Sequence, residues 1–191
     1  GDPHRLERIH DERMKEKGEG CLIYSIGCNG IFAFEESILE IMPFCEIVLD
    51  DPHDYSPVIP AAINDRMPYH TNALDASARK FQQQKFNNAI SLPELMEKNG
   101  HTNRTVDIFK IDCEWCEWFT FRQWLDQDIR QILVETHNAP MPQAQDFFFE
   151  LHDAGYVIFS KEANYQNGAG AVEFGFLKLS TDCLSGHLYY T

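Results

Sequence analysis

Carboxylates and one histidine gather at the ends of two apolar runs. In VDIFKIDCEWCEW the run closes on Asp112, Glu114 and Glu117, and in QILVETH it closes on Glu135 and His137. If both runs are parallel strands, Asp112 meets Glu135 and His137 at adjacent strand tips, because alternation points the latter two the same way. An Asp, a Glu and a His brought together there can bind a hard divalent cation such as Mg²⁺ or Mn²⁺, or supply a general base. The plainer alternative is a solvated loop capping the next helix for Asp112, Glu114 and Glu117, and a satisfied structural role for His137. The other histidines, including His70, His101 and His152, show no such company. Lys110, next to Ile111 on the first run, needs a partner for its charge if it lies inside.

A second constellation lies nearer the start. In LIYSIGCNGIFAFEE an apolar run is broken by Gly27-Cys28-Asn29-Gly30 and resumes at helical spacing, which predicts a strand, a tight turn and a helix start. Gly27 allows a backbone conformation closed to other residues, and Gly30 lets a ligand or the following helix approach. Such a turn alone is weak evidence. It gains weight from CEIVLDDP about twenty residues on, where a second strand (Glu46 to Leu49) ends in Asp50 and Asp51. An acid at that tip is placed to accept the hydroxyl hydrogens of an adenosine ribose. A dinucleotide fits less well: Ala33, three positions after Gly30, is small enough to leave the pattern open, but Asn29 stands at the second glycine of G-x-G-x-x-G, and Ile31 and Phe32 crowd the phosphate position. The turn suits a ligand with a ribose and no phosphate, such as S-adenosylmethionine.

Positioning these residues requires strands alternating with helices. Residues 5 to 18 form a charged surface helix within a helical lead-in (residues 1–20), and residues 21–191 form one domain. A loop from Pro52 to Pro60 precedes a short third strand near Met67 to His70, and the polar stretch Asn72 to Asn88 is a mobile loop or lid. Ser91-Leu92-Pro93-Glu94 starts a helix that ends at Asn99-Gly100. Val106 to Ile111 is the fourth strand, Glu117 to Gln127 a helix, Gln131 to Thr136 the fifth strand, and Pro142 to Ala154 a helix closed by Gly155. Two strands, Tyr156 to Lys161 and Glu173 to Leu179, flank a non-helical loop at 164–170. Alternation implies a parallel sheet covered on both faces, and the terminal strand-loop-strand adds one antiparallel strand.

Composition narrows the partners. The chain has 191 residues, 43% of them hydrophobic, which suffices for one well-buried domain. Its 30 acidic and 16 basic side chains leave a net charge of −14, so nucleic acid and membrane surfaces are poor partners. No segment has the roughly twenty apolar residues that span a bilayer. The chain opens on Gly-Asp-Pro, so a missing targeting signal says little: cytoplasmic and secretory-lumenal settings both stay open. The six cysteines lie mostly in or just beyond core strands, which favours buried free thiols over a disulfide framework. Cys113-x-x-Cys116 has the spacing of a redox or zinc pair, but no second pair completes four ligands. Asn103-Arg104-Thr105 is a glycosylation sequon that does not decide the compartment.

YSIGCNGIFAFEE, CEIVLDDP, VDIFKIDCEWCEW, QILVETH and AGYVIFSKEANYQNGAGAVEFGFLKLS resemble the successive blocks of the methyltransferase-like domain family allied to the FkbM-type methyltransferases. The resemblance covers roughly Cys21 to Ser180. It implies a Rossmann-like class I fold with a seven-stranded, mostly parallel sheet in the order 3-2-1-4-5-7-6, the last strand antiparallel. It further implies that S-adenosylmethionine is held at the Gly27-Cys28-Asn29-Gly30 turn and by Asp51, which precedes Pro52 as the family's Asp-Pro requires. Asp112 matches the aspartate of the Lys-Ile-Asp signature, close to the reacting centre. Relatives have glycine after the signature Glu, where this chain has Trp115. If that position needs positive φ, Trp costs about 1–2 kcal/mol and the turn is reshaped; otherwise the indole is an exposed platform for a sugar or ring.

The expected chemistry is O-methylation of a sugar or glycan hydroxyl, with Asp112, Glu135 and His137 handling the proton. Glu114, Trp115 and Tyr165 are candidate acceptor contacts, and Trp118 is a further aromatic compatible with sugar stacking. The alternatives are a metal-assisted methyltransferase for phenols, catechols or other small molecules, and a non-catalytic binding module on the same fold.

Overall fold

A computed structural model describes residues 3–74, 88–164 and 170–179. In chain order the elements are α1 (Pro3–Lys17), β1 (Leu22–Ile26), α2 (Ala33–Ile41), β2 (Glu46–Asp50), a 3-10 turn (Ser56–Val58), α3 (Ala61–Asn64), β3 (Tyr69–His70), β4 (Ala73–Leu74), β5 (Ala89–Ile90), α4 (Leu92–Lys98), β6 (Ile108–Ile111), α5 (Glu117–Leu125), β7 (Gln131–His137), α6 (Gln143–Asp153), β8 (Tyr156–Asn164) and β9 (Ala171–Lys178). The central sheet has the order β3-β2-β1-β6-β7-β9-β8, which is 3-2-1-4-5-7-6 when its own strands are counted. β1, β2, β3, β6 and β7 run parallel, and β9 runs antiparallel to both β7 and β8. The short ladder of β4 and β5 was not expected. The lid expected within 72–88 lies mostly outside the described residues, as do Tyr165 and most of the loop at 164–170.

Strand alternation builds two cores. Leu22, Tyr24, Val48, Phe109 and Ile111 point to the face covered by α4, α5 and α6, where they meet Leu95, Trp118, Phe121, Trp124 and Phe147. Ile23, Ile47, Leu49 and Ile108 point to the other face and pack with Phe32, Leu39, Met42 and Ile63 of the α2 and α3 region. This double cover explains why β1 is buried at all five residues. Ser91 and Glu94 form the reciprocal capping box that starts α4.

The cysteine expectation is corrected. Cys21 and Cys45 form a disulfide with a Cα separation of 4.6 Å. Each precedes the first residue of its strand, and the parallel register pairs Leu22 with Glu46, so the two thiols fall side by side. Cys113 and Cys116 are also bridged, and among the described residues only Cys28 is free. Closing the 24-residue separation between Cys21 and Cys45 is worth about 3 kcal/mol by restricting the unfolded chain. A Cys21→Ser/Cys45→Ser variant is therefore expected to melt several degrees lower. Calorimetry with and without reductant checks it: a wild-type transition unmoved by reduction contradicts the bridge.

The ends of the strands opposite the carboxylate cluster carry their own polar network. Buried Asp107 accepts the Leu22 N–H at 3.0 Å and pairs with Arg13 of α1, tying that helix to the sheet. His101 lies here, away from the carboxylate cluster, 2.8 Å from the Tyr24 hydroxyl and 3.1 Å from Glu46. Its place at the start of β2 makes it structural.

Candidate active site

The tips of β2, β1, β6 and β7 lie side by side at one edge of the sheet. At the β1 tip, Gly27, Asn29 and Gly30 all take positive φ (79°, 48° and 72°). Gly27 is required by packing, since a Cβ there would lie 1.8 Å from the Asp112 carbonyl oxygen, and at Gly30 it would sit 3.0 Å from the Tyr55 ring. The glycines thus admit neighbouring protein, while Tyr55 donates its hydroxyl to Asn29 at 3.0 Å. Lys110 finds its partner here, donating to the Gly27 carbonyl.

Asp51, one residue past β2, is buried with its carboxylate turned toward the glycine turn. One oxygen accepts the Cys28 and Asn29 N–H groups at 3.0 Å each, and the other accepts the His53 N–H at 2.9 Å. Each oxygen can accept more than one hydrogen bond, so the carboxylate both pins the turn and retains capacity for ribose hydroxyls. The residues therefore fit an adenosine sugar at this tip. The Cys28 thiol, pushed up to about 11 by burial, is no nucleophile at neutral pH.

Asp50 points to the opposite face of β2. Burial raises its carboxyl to about 6 against the Asn72 hydrogen bond and the charges of His70 and Lys98, which lower it. A folded-state value above the unfolded one means the stability supplied by the proton is complete below about pH 4 and is lost as pH rises through about 6. Asp50→Asn is therefore expected to gain about 1–3 kcal/mol at pH 7.5 and nothing at pH 3.5. Urea titrations at both pH values test this, and an equal shift at both would refute it.

At the β6 and β7 tips the expected residues converge. His137 is 6% exposed and Asp112 half-buried. The His137 Nε2 lies 3.8 Å from Asp112, 3.6 Å from Glu114 and 3.6 Å from Glu135. These separations exceed hydrogen-bond range, and Nε2 is buried with no hydrogen-bond partner. The other ring nitrogen, Nδ1, lies 3.2 Å from Glu117. Burial pushes the imidazole down, but the Glu117 hydrogen bond and the charges of Glu117, Glu114 and Glu135 overcome it and raise it to about 9.

Glu117 is the residue that sequence reasoning undervalued. It is fully buried in the first turn of α5 and accepts the His137 backbone N–H at 2.7 Å. Trp118 donates its indole N–H to the His137 carbonyl at 2.9 Å, so α5 grips the histidine from both sides. Trp118 itself is 1% exposed and is core, not a stacking platform. The signal available was the spacing Glu117-Trp118 at a helix start just after the strand tip.

The turn between Asp112 and α5 has positive φ at Glu114 (49°) and Trp115 (83°). Trp115 therefore occupies the backbone conformation glycine would favour, at about 1–2 kcal/mol. It is half-buried against the core, and the Cys113–Cys116 disulfide spans the turn. Among the described residues, ligand atoms of Asp112, Glu114 and His137 come within 4.8 Å of one another. In the candidate cation set Glu114 thus stands where Glu135 was expected, beside Asp112 and His137, and Glu135 instead accepts from the Asn164 amide at 3.1 Å. A hollow of about 450 Å³ between β3 and α4 includes none of these residues.

The chain matches, over residues 1–178, the family model described as "Methyltransferase domain". No curated protein matches it. Among solved structures it is similar to the Methanococcus jannaschii fibrillarin pre-rRNA processing protein (9% identity, TM-score 0.55, covering 83% of this chain and 66% of that one). It is similar to Aeropyrum pernix fibrillarin with bound S-adenosyl-L-methionine (13%, 0.53, 82% and 66%). M. capricolum TrmK in complex with S-adenosyl-homocysteine is a third (11%, 0.53, 83% and 62%). The chain spans just under two thirds of the length of these structures. At such identities the likeness shows the fold. With the family match over nearly the whole length, the chain belongs to the methyltransferase-domain family and carries the class I S-adenosylmethionine-dependent methyltransferase fold.

Proposed function

We propose that this domain transfers a methyl group from S-adenosylmethionine to a hydroxyl oxygen of a sugar or glycan. The observation that carries the reading is the joint at Gly27 and Asp112, where the turn beside Asp51 abuts the backbone of the residue that opens the acidic cluster. When bound, S-adenosylmethionine supplies an electrophilic methyl on a sulfonium. Asp51 and the turn at Gly27, Cys28, Asn29 and Gly30 hold its ribose and methionine parts. Methyl transfer needs an in-line approach of the acceptor oxygen, and positioning supplies much of the acceleration. The hydroxyl must also lose its proton. With His137 raised to about 9 and so charged at neutral pH, Asp112 is the acceptor for that proton. His137 orients and stabilises the carboxylates around it, and Glu117 fixes the ring. An acidic crevice also favours the cationic cofactor over its neutral product.

The same residues fit Mg²⁺ or Mn²⁺. The unpartnered, buried Nε2 of His137 and the carboxylates of Asp112 and Glu114 offer a nitrogen and hard oxygen ligands. A cation held there would stabilise the negative charge that develops on the acceptor oxygen as its proton leaves, and would take the place of the imidazole proton. The FkbM-type resemblance and the net charge of −14 support a carbohydrate over RNA; the Methanococcus jannaschii neighbour is named a pre-rRNA processing protein, which favours RNA, but at 9% identity the likeness carries the fold alone. The Cys21–Cys45 and Cys113–Cys116 bridges favour a secretory-lumenal setting over the cytoplasm.

Calorimetric titration with S-adenosylmethionine and S-adenosylhomocysteine tests the cofactor half, and absence of binding to both would favour a non-catalytic module. A labelled-methyl screen of glycans, catechols and RNA, with and without Mg²⁺ or Mn²⁺, tests the rest. Transfer to a glycan supports the reading; transfer to RNA or catechol alone replaces it.

A further inference from the structure

The face of the β6-β7-β9-β8 half of the sheet that carries Lys110, Leu133 and Phe159 lies on the side of α2. It holds a groove of about 350 Å³ between Phe34 of α2 and Phe159 of β8, which runs to Asp112 and Glu135. Phe159 is the extra residue of a β-bulge: Ile158 pairs with Phe176 and Ser160 with Gly175, leaving Phe159 without a partner position. Bulges re-aim a side chain and recur beside active sites. The ring rests on Gly175, where a Cβ would come within 2.7 Å of its tip, and it remains 51% exposed. A glycine on β9 and an irregularity on β8 thus cooperate to lay one aromatic ring at the groove. Glu162 and Glu173, paired across the two strands, line it as well.

We propose that this groove is the acceptor subsite and that it takes a neutral pyranose, one ring against Phe159, with a hydroxyl delivered to Asp112. This rests on the sugar-hydroxyl reading above and names where the sugar lies. Ionised carboxylates only accept hydrogen bonds, so Glu162 and Glu173 suit a ligand edged with hydroxyl donors, while phosphate groups are repelled. An aromatic wall with a few polar groups is the composition of a small-molecule cleft.

The test uses the whole chain and tetrasaccharides of glucose, mannose, galactose and N-acetylglucosamine as probes, read by labelled-methyl transfer and by calorimetry. Phe159→Ala is expected to raise the acceptor KM about ten- to hundredfold through lost apolar contact, with S-adenosylmethionine affinity unchanged. Gly175→Ala, which keeps the ring but displaces it from its seat, should act in the same direction and covers the case in which Phe159→Ala does not fold. Glycan methylation with unaltered KM in both variants would overturn the groove and leave the methyltransferase reading standing. Loss of cofactor binding in the wild type would overturn that reading itself. A lysine-rich peptide that binds the wild type more tightly than every tetrasaccharide, and loses affinity in Phe159→Ala, would overturn the sugar assignment.

Discussion

His137→Ala is expected to lower methyl transfer by about 10²- to 10⁴-fold, the range for disabling general base catalysis, because the imidazolium holds Asp112, the carboxylate that takes the acceptor's proton, with S-adenosylmethionine affinity nearly unchanged. The separation of effects follows from the geometry. The cofactor half rests on Asp51 and the turn amides, and the proton half on the cage around Nε2. The backbone clamps on His137, from Glu117 and Trp118, do not involve the imidazole, so the strand tip survives the substitution. Glu117 does lose its charged partner, and an uncompensated buried charge costs about 3–5 kcal/mol. Turnover is therefore compared below the melting transition, alongside His137→Ala/Glu117→Gln, in which that penalty is removed and the activity loss should persist. Near-normal turnover in both His137→Ala and Asp112→Ala would remove the cluster from the mechanism.

Gly27→Ala is expected to be among the most damaging single substitutions in the fold, costing more than about 4 kcal/mol and abolishing cofactor binding. Positive φ accounts for only about 1 kcal/mol of that. The remainder comes from a Cβ placed 1.8 Å from the Asp112 carbonyl oxygen. That oxygen has little freedom to retreat, because the Asp112 N–H is bound to Ile26 at 2.9 Å. Gly18 separates the two contributions: its φ is 71°, but nothing lies within 4 Å of an added Cβ. Gly18→Ala should therefore cost about 1 kcal/mol and leave cofactor binding intact. Urea denaturation and calorimetric titration of both variants decide it; similar losses in the two would mean that the Gly27 contact is soft.

The strand-turn-helix at residues 22–41, the acid after β2 and the tips of β6 and β7 were legible because each rests on local pattern. A buried parallel strand must be apolar throughout, a tight turn needs glycine, and a strand tip is where polar residues resume. The antiparallel β9 was legible for the same reason, since residues 164–170 have no helical periodicity to carry a crossover. Glu117 was not. Within its own segment it looks like a solvated acid in the first turn of a helix, and only the packing of α5 against β7 brings its carboxylate to the His137 N–H. The disulfide between Cys21 and Cys45 was hidden in a similar way, because each cysteine taken alone suits a buried strand edge and the pairing exists only in the β1–β2 register.

The acceptor groove belongs entirely to the tertiary structure. Phe159 sits in an ordinary apolar strand, Gly175 is one small residue in another, and neither sequence neighbourhood hints at the bulge that joins them. By itself the sequence determined which residues can do chemistry and on which strand tips they stand, because residue type and periodicity are local properties. Only the fold decided which of them touch. Distances of 3–4 Å between residues twenty or more apart in the chain arise from strand order and register, to which no local pattern is sensitive.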